Sequence, residues 1–274
     1  METANDNKTL NKIRIIFFIA LVEYFLFIFS GSSFSFLQGD NFFSIEVDPL
    51  SWGFYLAGMP QFILKHQWCG ILIDSIIIIS LLLFVRDPLN NRLAILLFLL
   101  LMLFYITFMG HMAHRNYQVG FFMVFVPFLF KGYTNKIFAY ESLRYFLLFF
   151  YLSAAFLKIT NHSLAGNEHF SHLLSGQFTP YFLEGNTGVR TDLNLYLISH
   201  PATSHLLFII SFIVELTTII GFFTKRFDNL LAIALLTFHF GNWLIMDIAP
   251  FGQVAFICLL FISREMTKKK PNSF

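Results

Sequence analysis

The sequence predicts an all-α integral membrane protein, a helix bundle with about eight transmembrane helices. Of its 274 residues, 57% are hydrophobic and only 12% are charged, whereas soluble domains carry about 25% charged residues. The apolar residues fall into long runs without the alternation of a β-strand, and lipid tolerates no open sheet edge. We therefore expect one membrane domain over residues 1–274, with no separate soluble domain and no nucleic-acid partner.

Eight apolar runs define the predicted spans. They lie at about 13–30, 69–85, 93–110, 118–131, 143–159, 204–223, 229–246 and 250–263. A span needs about 20 residues, so the fourth and eighth runs are short, and we expect tilted or partly re-entrant helices there. The first run carries Glu23 and no small-residue cleavage site, which predicts a retained span rather than a signal peptide.

Basic residues predict the orientation of the bundle. Of the 18 Lys and Arg residues, 14 lie in the segments 1–14, 86–92, 131–144, 224–229 and 264–274. Because positive charge stays on the cytoplasmic side, this distribution predicts eight spans with both termini in the cytoplasm. The expected location is the cytoplasmic (inner) membrane, which the chain crosses several times.

The two long loops then lie outside the cytoplasm, at 31–68 and 160–203. Both are poor in charge and rich in apolar residues, which predicts short interfacial helices that cap the bundle. Residues 71–96 and 212–235 also resemble each other, since each has an acid, a basic turn and then Asn, Leu, Ala and Ile. This likeness suggests a four-plus-four repeat.

Ionisable side chains inside the apolar runs are the candidate functional residues, because a charge at membrane depth is expensive and usually faces a bundle interior or a wet cavity. Lys158 ends the fifth span, near its outer end. A neutral amine in an apolar pocket is a competent general base. The alternative is that Lys158 snorkels toward the headgroups.

His239 and Asn242 are three residues apart on the seventh span, so they share one helix face at the level of Lys158. His239 can shuttle a proton or hydrogen-bond an oxyanion, and Asn242 can orient a carbonyl or hydroxyl group. Trp243 continues toward the outer surface. Interhelical hydrogen bonding is the structural alternative for both polar residues.

The remaining polar residues leave alternatives open. Glu23, Asp74 and Glu215 suit either a proton path or structural pairing, with a basic turn residue or His239 as the partner of Glu215. The outer turn HMAHRNY places His114 and Arg115 at the mouth of the site. Its histidines lack a third ligand for a transition metal, so no metal site is predicted. Cys69 and Cys258 form no C-x-x-C pair and are interpreted as packing residues.

Two segments together resemble a known family. The segment YFLLFFYLSAAFLKI at 145–159 is followed, after a polar loop, by FIVELTTIIGFFTKRFDNLLAIALLTFHFGNWL at 212–244. The pair is similar to the HTTM superfamily, the membrane domain shared with vitamin K-dependent gamma-carboxylase. The family motif A-G-x-x-K corresponds to Ala154–Lys158, with Ala155 in place of Gly. The family element N-N-H-x-Y corresponds to 113–117, where the His is displaced by one position.

The resemblance implies a function. Lys158 falls where the carboxylase has its catalytic base, which deprotonates a reduced quinone such as vitamin K or menaquinol, with O2 and CO2 as co-substrates. From the residues themselves, we expect His239 and Asn242 to be polar stabilisers and His114, Arg115 and Trp243 to contact the cofactor. The family's carboxylases carry a large lumenal region after the membrane domain, whereas this sequence ends at Phe274. We therefore expect an accessory soluble partner to supply substrate recognition.

Two functions from different classes follow. The first is a membrane-embedded enzyme that modifies or matures a secreted peptide or protein at the outer leaflet, with the bilayer supplying the cofactor. The second is a non-catalytic protein that binds lipid or stabilises a partner in a secretion or maturation system. A transporter is a third possibility, which the intramembrane acids favour slightly, although matching Gly- or Pro-broken helix pairs are not evident.

Overall fold

The computed structural model describes residues 2–36, 53–54, 56–111, 119–185, 187–248 and 250–266. Every regular element in these ranges is helical, which confirms the all-α class. In chain order the α-helices are α1 (Glu2–Phe29), α2 (Met59–Lys65), α3 (Gln67–Arg86), α4 (Asn91–His111), α5 (Val119–Met123), α6 (Tyr133–Thr160), α7 (His169–Leu183), α8 (Val189–Ser199), α9 (Pro201–Thr217), α10 (Ile219–Phe223), α11 (Asp228–Met246), α12 (Gln253–Cys258) and α13 (Ser263–Met266). Two 3₁₀ turns, Val126–Phe128 and Leu259–Ile262, follow α5 and α12.

Within the described ranges, four helical segments are long and apolar enough to cross a membrane. They are α3, Thr134–Thr160 within α6, Pro201–Phe223 across α9 and α10, and α11. These segments coincide with the predicted second, fifth, sixth and seventh spans. The chain therefore has several apolar helices of membrane-spanning length.

The other four apolar runs are also helical, in different ways. The first lies within α1 and the third within α4. The fourth and eighth form only the short helices α5 and α12, each followed by a 3₁₀ turn. Pro127 lies in the first of these turns, and a proline lacks the backbone N–H that a continuing helix needs. Neither of these two runs therefore forms one long regular α-helix. The prediction that they are tilted or partly re-entrant stays a prediction.

The chain divides into two compact units. The first comprises Met1–Leu143 with Pro250–Phe274, and the second comprises Arg144–Ala249. In the first unit α1 packs on α3, α4 packs on α3 and α5, and α12 packs on α1 and α5. Its core is rich in phenylalanine: the ring of Phe17 lies 4.6 Å from that of Phe84 and 5.1 Å from those of Phe125 and Phe128. Such edge and offset contacts are the arrangements that aromatic rings prefer.

Two buried acids of the first unit accept hydrogen bonds from uncharged donors. Glu23 accepts from the backbone N–H groups of Gly252, Val254 and Ala255 at 2.9–3.1 Å. Asp74 accepts from the Tyr24 hydroxyl at 2.6 Å and from both the backbone N–H and the hydroxyl of Ser35. Of the two interpretations left open for these acids, the geometry favours structural pairing, because buried polar groups need such partners.

The backbone at the start of α5 lies very close to the backbone just before α12. A Cβ atom added to Gly120 would lie 2.0 Å from the carbonyl oxygen of Gly252, closer than two non-bonded atoms can come. Because both sides of this contact are backbone, no side-chain rotation relieves it.

We therefore expect Gly120→Ala to lower the free energy of unfolding by about 3 kcal/mol or more, at the upper end of overpacking effects. The matched control is Gly176→Ala, since Gly176 lies in α7 with open space around it. Cys69 and Cys258 are free and buried in the same unit, so a thiol-reactive dye reports its unfolding. Equal melting temperatures for the two variants would contradict this prediction.

In the second unit α7 and α8 pack against each other and against α9. Their shared core consists of Phe170, Leu174, Phe178, Leu197 and Phe208. The loop 160–203 thus contains two helices whose apolar faces rest on α9, and their position at a membrane interface stays a prediction. The four-plus-four repeat also stays a prediction. Of the loop 31–68, residues 37–52 and 55 lie outside the described ranges.

Candidate functional site

Lys158 lies in the last turn of α6 and points to α9. Its Nζ donates hydrogen bonds to Oε2 of Glu215 at 2.8 Å and to Oγ of Ser211 at 2.9 Å. The side chains of Lys158 and Glu215 are 19% and 6% exposed. Ser211 and Glu215 are four residues apart, so they present one face of α9 to the amine. The amine is therefore held within a helix pair and does not extend freely toward solvent.

Two aromatic rings flank this amine. Nζ of Lys158 lies 5.1 Å from the ring centroid of Phe208 and 5.9 Å from that of Phe238. A cation within about 6 Å of an aromatic ring is stabilised by the ring quadrupole. Phe208 also belongs to the core that α7 and α8 share with α9, so these two helices help to position the wall beside Lys158.

A second polar pair lies on the same helix two turns earlier. The Tyr151 hydroxyl and Nε2 of His239 are 2.5 Å apart, and Tyr151 is buried. Tyr151 and Lys158 are seven residues apart, which places them on one face of α6. The Phe238 ring is 6.4 Å from the Tyr151 ring, so this ring neighbours both the amine and the phenol–imidazole pair.

Asn242 and Trp243 follow on α11. The Asn242 amide is partly buried and makes no hydrogen bond to any residue that the structure describes. Trp243 is 42% exposed, with its indole 5.8 Å from the Phe240 ring. The backbone oxygen of Trp243 accepts a hydrogen bond from Arg190 at 3.2 Å. The structure thus leaves the Asn242 amide available to a ligand, and it places the Trp243 indole at the exposed surface of the unit.

His114 and Arg115, predicted to contact a cofactor, lie outside the described residues, as does the whole element 113–117. Within the described ranges no group of three or more His, Cys, Asp and Glu side chains is placed to hold a metal ion.

No family model, curated protein or solved structure matches this sequence. The resemblance to the HTTM superfamily therefore stays a prediction that rests on the segments 145–159 and 212–244.

A fully buried ion pair lies elsewhere in the same unit. Arg144 on α6 donates from Nε and Nη2 to the two carboxylate oxygens of Asp228, both at 2.7 Å. Nη2 also donates to the carbonyl oxygen of Gly221 at 2.7 Å. Both charged side chains are 1% exposed. The sequence marks Arg144 only as a cytoplasmic charge, whereas the structure shows that it connects α6 to the first turn of α11.

The structure corrects one expectation and adds two residues. The partners considered for Glu215, a basic turn residue or His239, were wrong, because its cation is Lys158. Sequence reasoning missed Tyr151 and Ser211. Both could have been found from helical spacing, since Tyr151 precedes Lys158 by seven residues and Ser211 precedes Glu215 by four.

The arrangement is suited to moving a proton. In the ion pair the ammonium of Lys158 already donates to the Glu215 carboxylate, so transfer of that proton leaves a neutral amine next to a carboxylic acid. A neutral amine accepts a proton from a ligand hydroxyl within hydrogen-bond reach. Ser211 accepts a further hydrogen bond from the same amine.

Proposed function

We propose that this chain is a membrane-embedded enzyme of the HTTM type, which uses Lys158 as a base toward the hydroxyl group of a lipid-soluble quinol. Its product would be a modified or matured secreted peptide or protein at the outer leaflet. One observation carries the proposal: the amine of Lys158, at the end of a long apolar helix, is paired with a carboxylate between two aromatic rings. A site of this kind shields the amine from water, and its two aromatic rings are a surface against which a flat aromatic ligand can pack.

Each residue has a role in this proposal. Nζ of Lys158 accepts the proton as the ligand O–H bond breaks, and Glu215 holds the proton that the amine released beforehand. His239 and Asn242 hydrogen-bond the ligand, while His114, Arg115 and Trp243 contribute to the mouth. The bound quinol would supply the acidic hydroxyl and, with O2, the strong base for CO2 addition. Hydrogen-bond donors such as His239 and Asn242 stabilise a developing negative charge most strongly in a site that excludes water.

The predicted topology belongs to the same proposal. Eight spans with cytoplasmic termini in the cytoplasmic membrane would place the end of α6 near the outer leaflet. There Lys158 would meet a cofactor that diffuses within the bilayer and a substrate that has already crossed it. An accessory soluble protein would recognise that substrate.

The test is a comparison of secreted products. We expect cells that lack this chain to lose a peptide modification, such as the added mass of CO2, and wild-type protein to restore it. Lys158→Ala and Lys158→Arg should both fail to restore it, because neither side chain provides a neutral amine. The matched control is Lys65→Ala, since Lys65 is exposed at the end of α2 and should be dispensable. Mass spectrometry of the medium measures the product, and immunoblots verify equal protein levels in the membrane.

A non-catalytic function is the second candidate, and one observation favours it. Lys158 and Glu215 satisfy each other's charge, as an interhelical lock in a structural or partner-stabilising protein would. Full product formation by both Lys158 variants would exclude Lys158 as the base.

A further inference from the structure

Exposed cations lie at one end of the first unit, around the last turn of α3. Arg14 on α1 and Arg86 at the end of α3 are both exposed. Nη2 of Arg14 donates to the carbonyl oxygen of Arg86 at 3.3 Å, and Nη1 donates to Oδ1 of Asn11 at 3.4 Å. Both acceptors are neutral, so these hydrogen bonds orient the guanidinium group of Arg14 without cancelling its charge.

Two further cations lie at the same end of the unit, where α4 begins. Asn91 donates from Nδ2 to the carbonyl oxygens of Phe128 and Leu129, so the first turn of α4 lies beside the 3₁₀ turn that follows α5. Arg92 and Lys131, which come directly after these two segments, are both exposed. The four cations are called the basic row: Arg14, Arg86, Arg92 and Lys131.

The described part of the chain does not neutralise the basic row. None of its four members forms an ion pair with a described residue. Lys12, on the same part of α1, is by contrast paired with Glu265 at 2.5 Å. Asp87, in the turn after α3, is an exposed acid, but one carboxylate does not offset four cations. The surface therefore has a net positive charge and is complementary to an anion.

Exposed apolar side chains lie one helical turn away from the two arginines. Because α1 and α3 are antiparallel, three contacts follow one another along the pair: Arg14 with Arg86, Phe17 with Phe84, and Tyr24 with Asp74. In this register Phe18 lies one turn after Arg14 on α1. Leu82 lies at a similar depth, one turn before Arg86 on α3. The side chains of Phe18 and Leu82 are 54% and 51% exposed.

This combination of charge and apolar surface matches an amphiphilic ligand. Helix α3 is long and apolar enough to cross a membrane, and Arg86 is its last residue. The basic row is thus at the depth where bilayer headgroups begin. An arginine suits a phosphate group because its planar fork donates two hydrogen bonds to the phosphate oxygens. A soluble phosphate compound would match the cations, but it would leave Phe18 and Leu82 exposed.

We propose that the basic row binds the headgroup phosphate of an anionic phospholipid, with Arg14 and Arg86 as the main contacts and the acyl chains against Phe18 and Leu82. In the predicted orientation this end of the unit faces the cytoplasmic leaflet, where basic residues near the surface attract anionic lipids. The site does not depend on the function proposed for Lys158, which belongs to the second unit.

The first experiment compares lipids on the wild-type protein. The full-length chain, stripped of lipid in a neutral detergent, is titrated with dioleoyl-phosphatidylglycerol, and native mass spectrometry measures the affinity of the first bound lipid. Dioleoyl-phosphatidylcholine has the same acyl chains but no net charge. We expect phosphatidylglycerol to bind roughly thirtyfold more tightly, at about fivefold for each of the two arginines. Equal affinities of the two lipids would overturn the proposal. So would displacement of phosphatidylglycerol by an equal concentration of glycerol 3-phosphate, which lacks acyl chains.

The second experiment locates the site with variants of exposed residues. Arg14→Gln and Arg86→Gln should each weaken phosphatidylglycerol binding roughly fivefold and leave phosphatidylcholine binding unchanged. Arg14→Lys should keep part of the affinity, since lysine retains the charge but lacks the fork. Phe18→Ser should weaken both lipids to the same extent, because acyl-chain contact does not depend on the headgroup. The matched control is Lys65→Gln, which removes an exposed cation at the end of α2 and should change neither affinity. Wild-type phosphatidylglycerol affinity in both arginine variants would show that the lipid binds elsewhere and refute the assignment.

Discussion

Replacing Arg144 by alanine is expected to lower the free energy of unfolding by about 3–5 kcal/mol, because it leaves the Asp228 carboxylate buried without its cation. The two side chains are 1% exposed and form two hydrogen bonds of 2.7 Å. The same substitution also removes the donor to the Gly221 carbonyl oxygen. The substitution thus removes the hydrogen bonds that connect α6 to the turn leading into α11.

A variant set separates the charge effect from the packing effect. Arg144→Lys should recover only part of the stability, because a lysine lacks the planar fork that pairs with both carboxylate oxygens. The double variant Arg144→Met with Asp228→Leu should recover most of it, since apolar residues of similar volume replace buried ion pairs well. Arg226→Ala is the matched control, as Arg226 is exposed nearby and should change stability by less than about 0.5 kcal/mol. Helix loss on titration with denaturing detergent, followed by circular dichroism, provides the measurement; equal stability of Arg144→Ala and Arg226→Ala would refute the role of the pair.

The Lys158–Glu215 pair is expected to combine a structural and a catalytic effect, which a double variant can separate. Lys158→Met alone leaves a carboxylate with 6% exposure unpaired and should destabilise the second unit by about 3 kcal/mol, near the lower end for broken buried pairs because Lys158 is partly exposed. Glu215→Leu alone leaves the Lys158 ammonium without its carboxylate partner and should destabilise the unit to a similar extent. The double variant removes both charges, so its stability should return close to that of the wild type.

Product formation in the double variant then distinguishes the two candidate functions. If Lys158 is the base, the double variant folds normally, yet the modified peptide is absent from the medium. If the pair is only an interhelical lock, restored folding restores the product. Detergent titration and mass spectrometry of secreted peptides on the same strains provide both readouts. A stable double variant with wild-type product levels would refute the enzymatic proposal.

Part of the candidate site is accessible from the sequence. Lys158 and His239 interrupt apolar runs, and the free-energy cost of placing such groups at membrane depth is enough to mark them as candidates. Tyr151 and Ser211 were missed for the opposite reason: a tyrosine or serine is ordinary in an apolar helix, so composition does not mark either residue. The predicted partner of Glu215 was also wrong, since Lys158, 57 positions away in the sequence, approaches it only when α6 packs on α9.

The sequence by itself determined the helical class and the four long apolar helices, because in lipid a chain must satisfy its backbone hydrogen bonds within each segment, and hydropathy over about 20 residues records that requirement. It also determined which residues carry ionisable groups into those helices. Only the tertiary structure decided their partners: Arg144 with Asp228, Lys158 with Glu215, and Tyr151 with His239. A hydrogen bond depends on distances of about 3 Å between atoms on different helices, and helix packing, which the periodicity of a single segment does not encode, sets those distances.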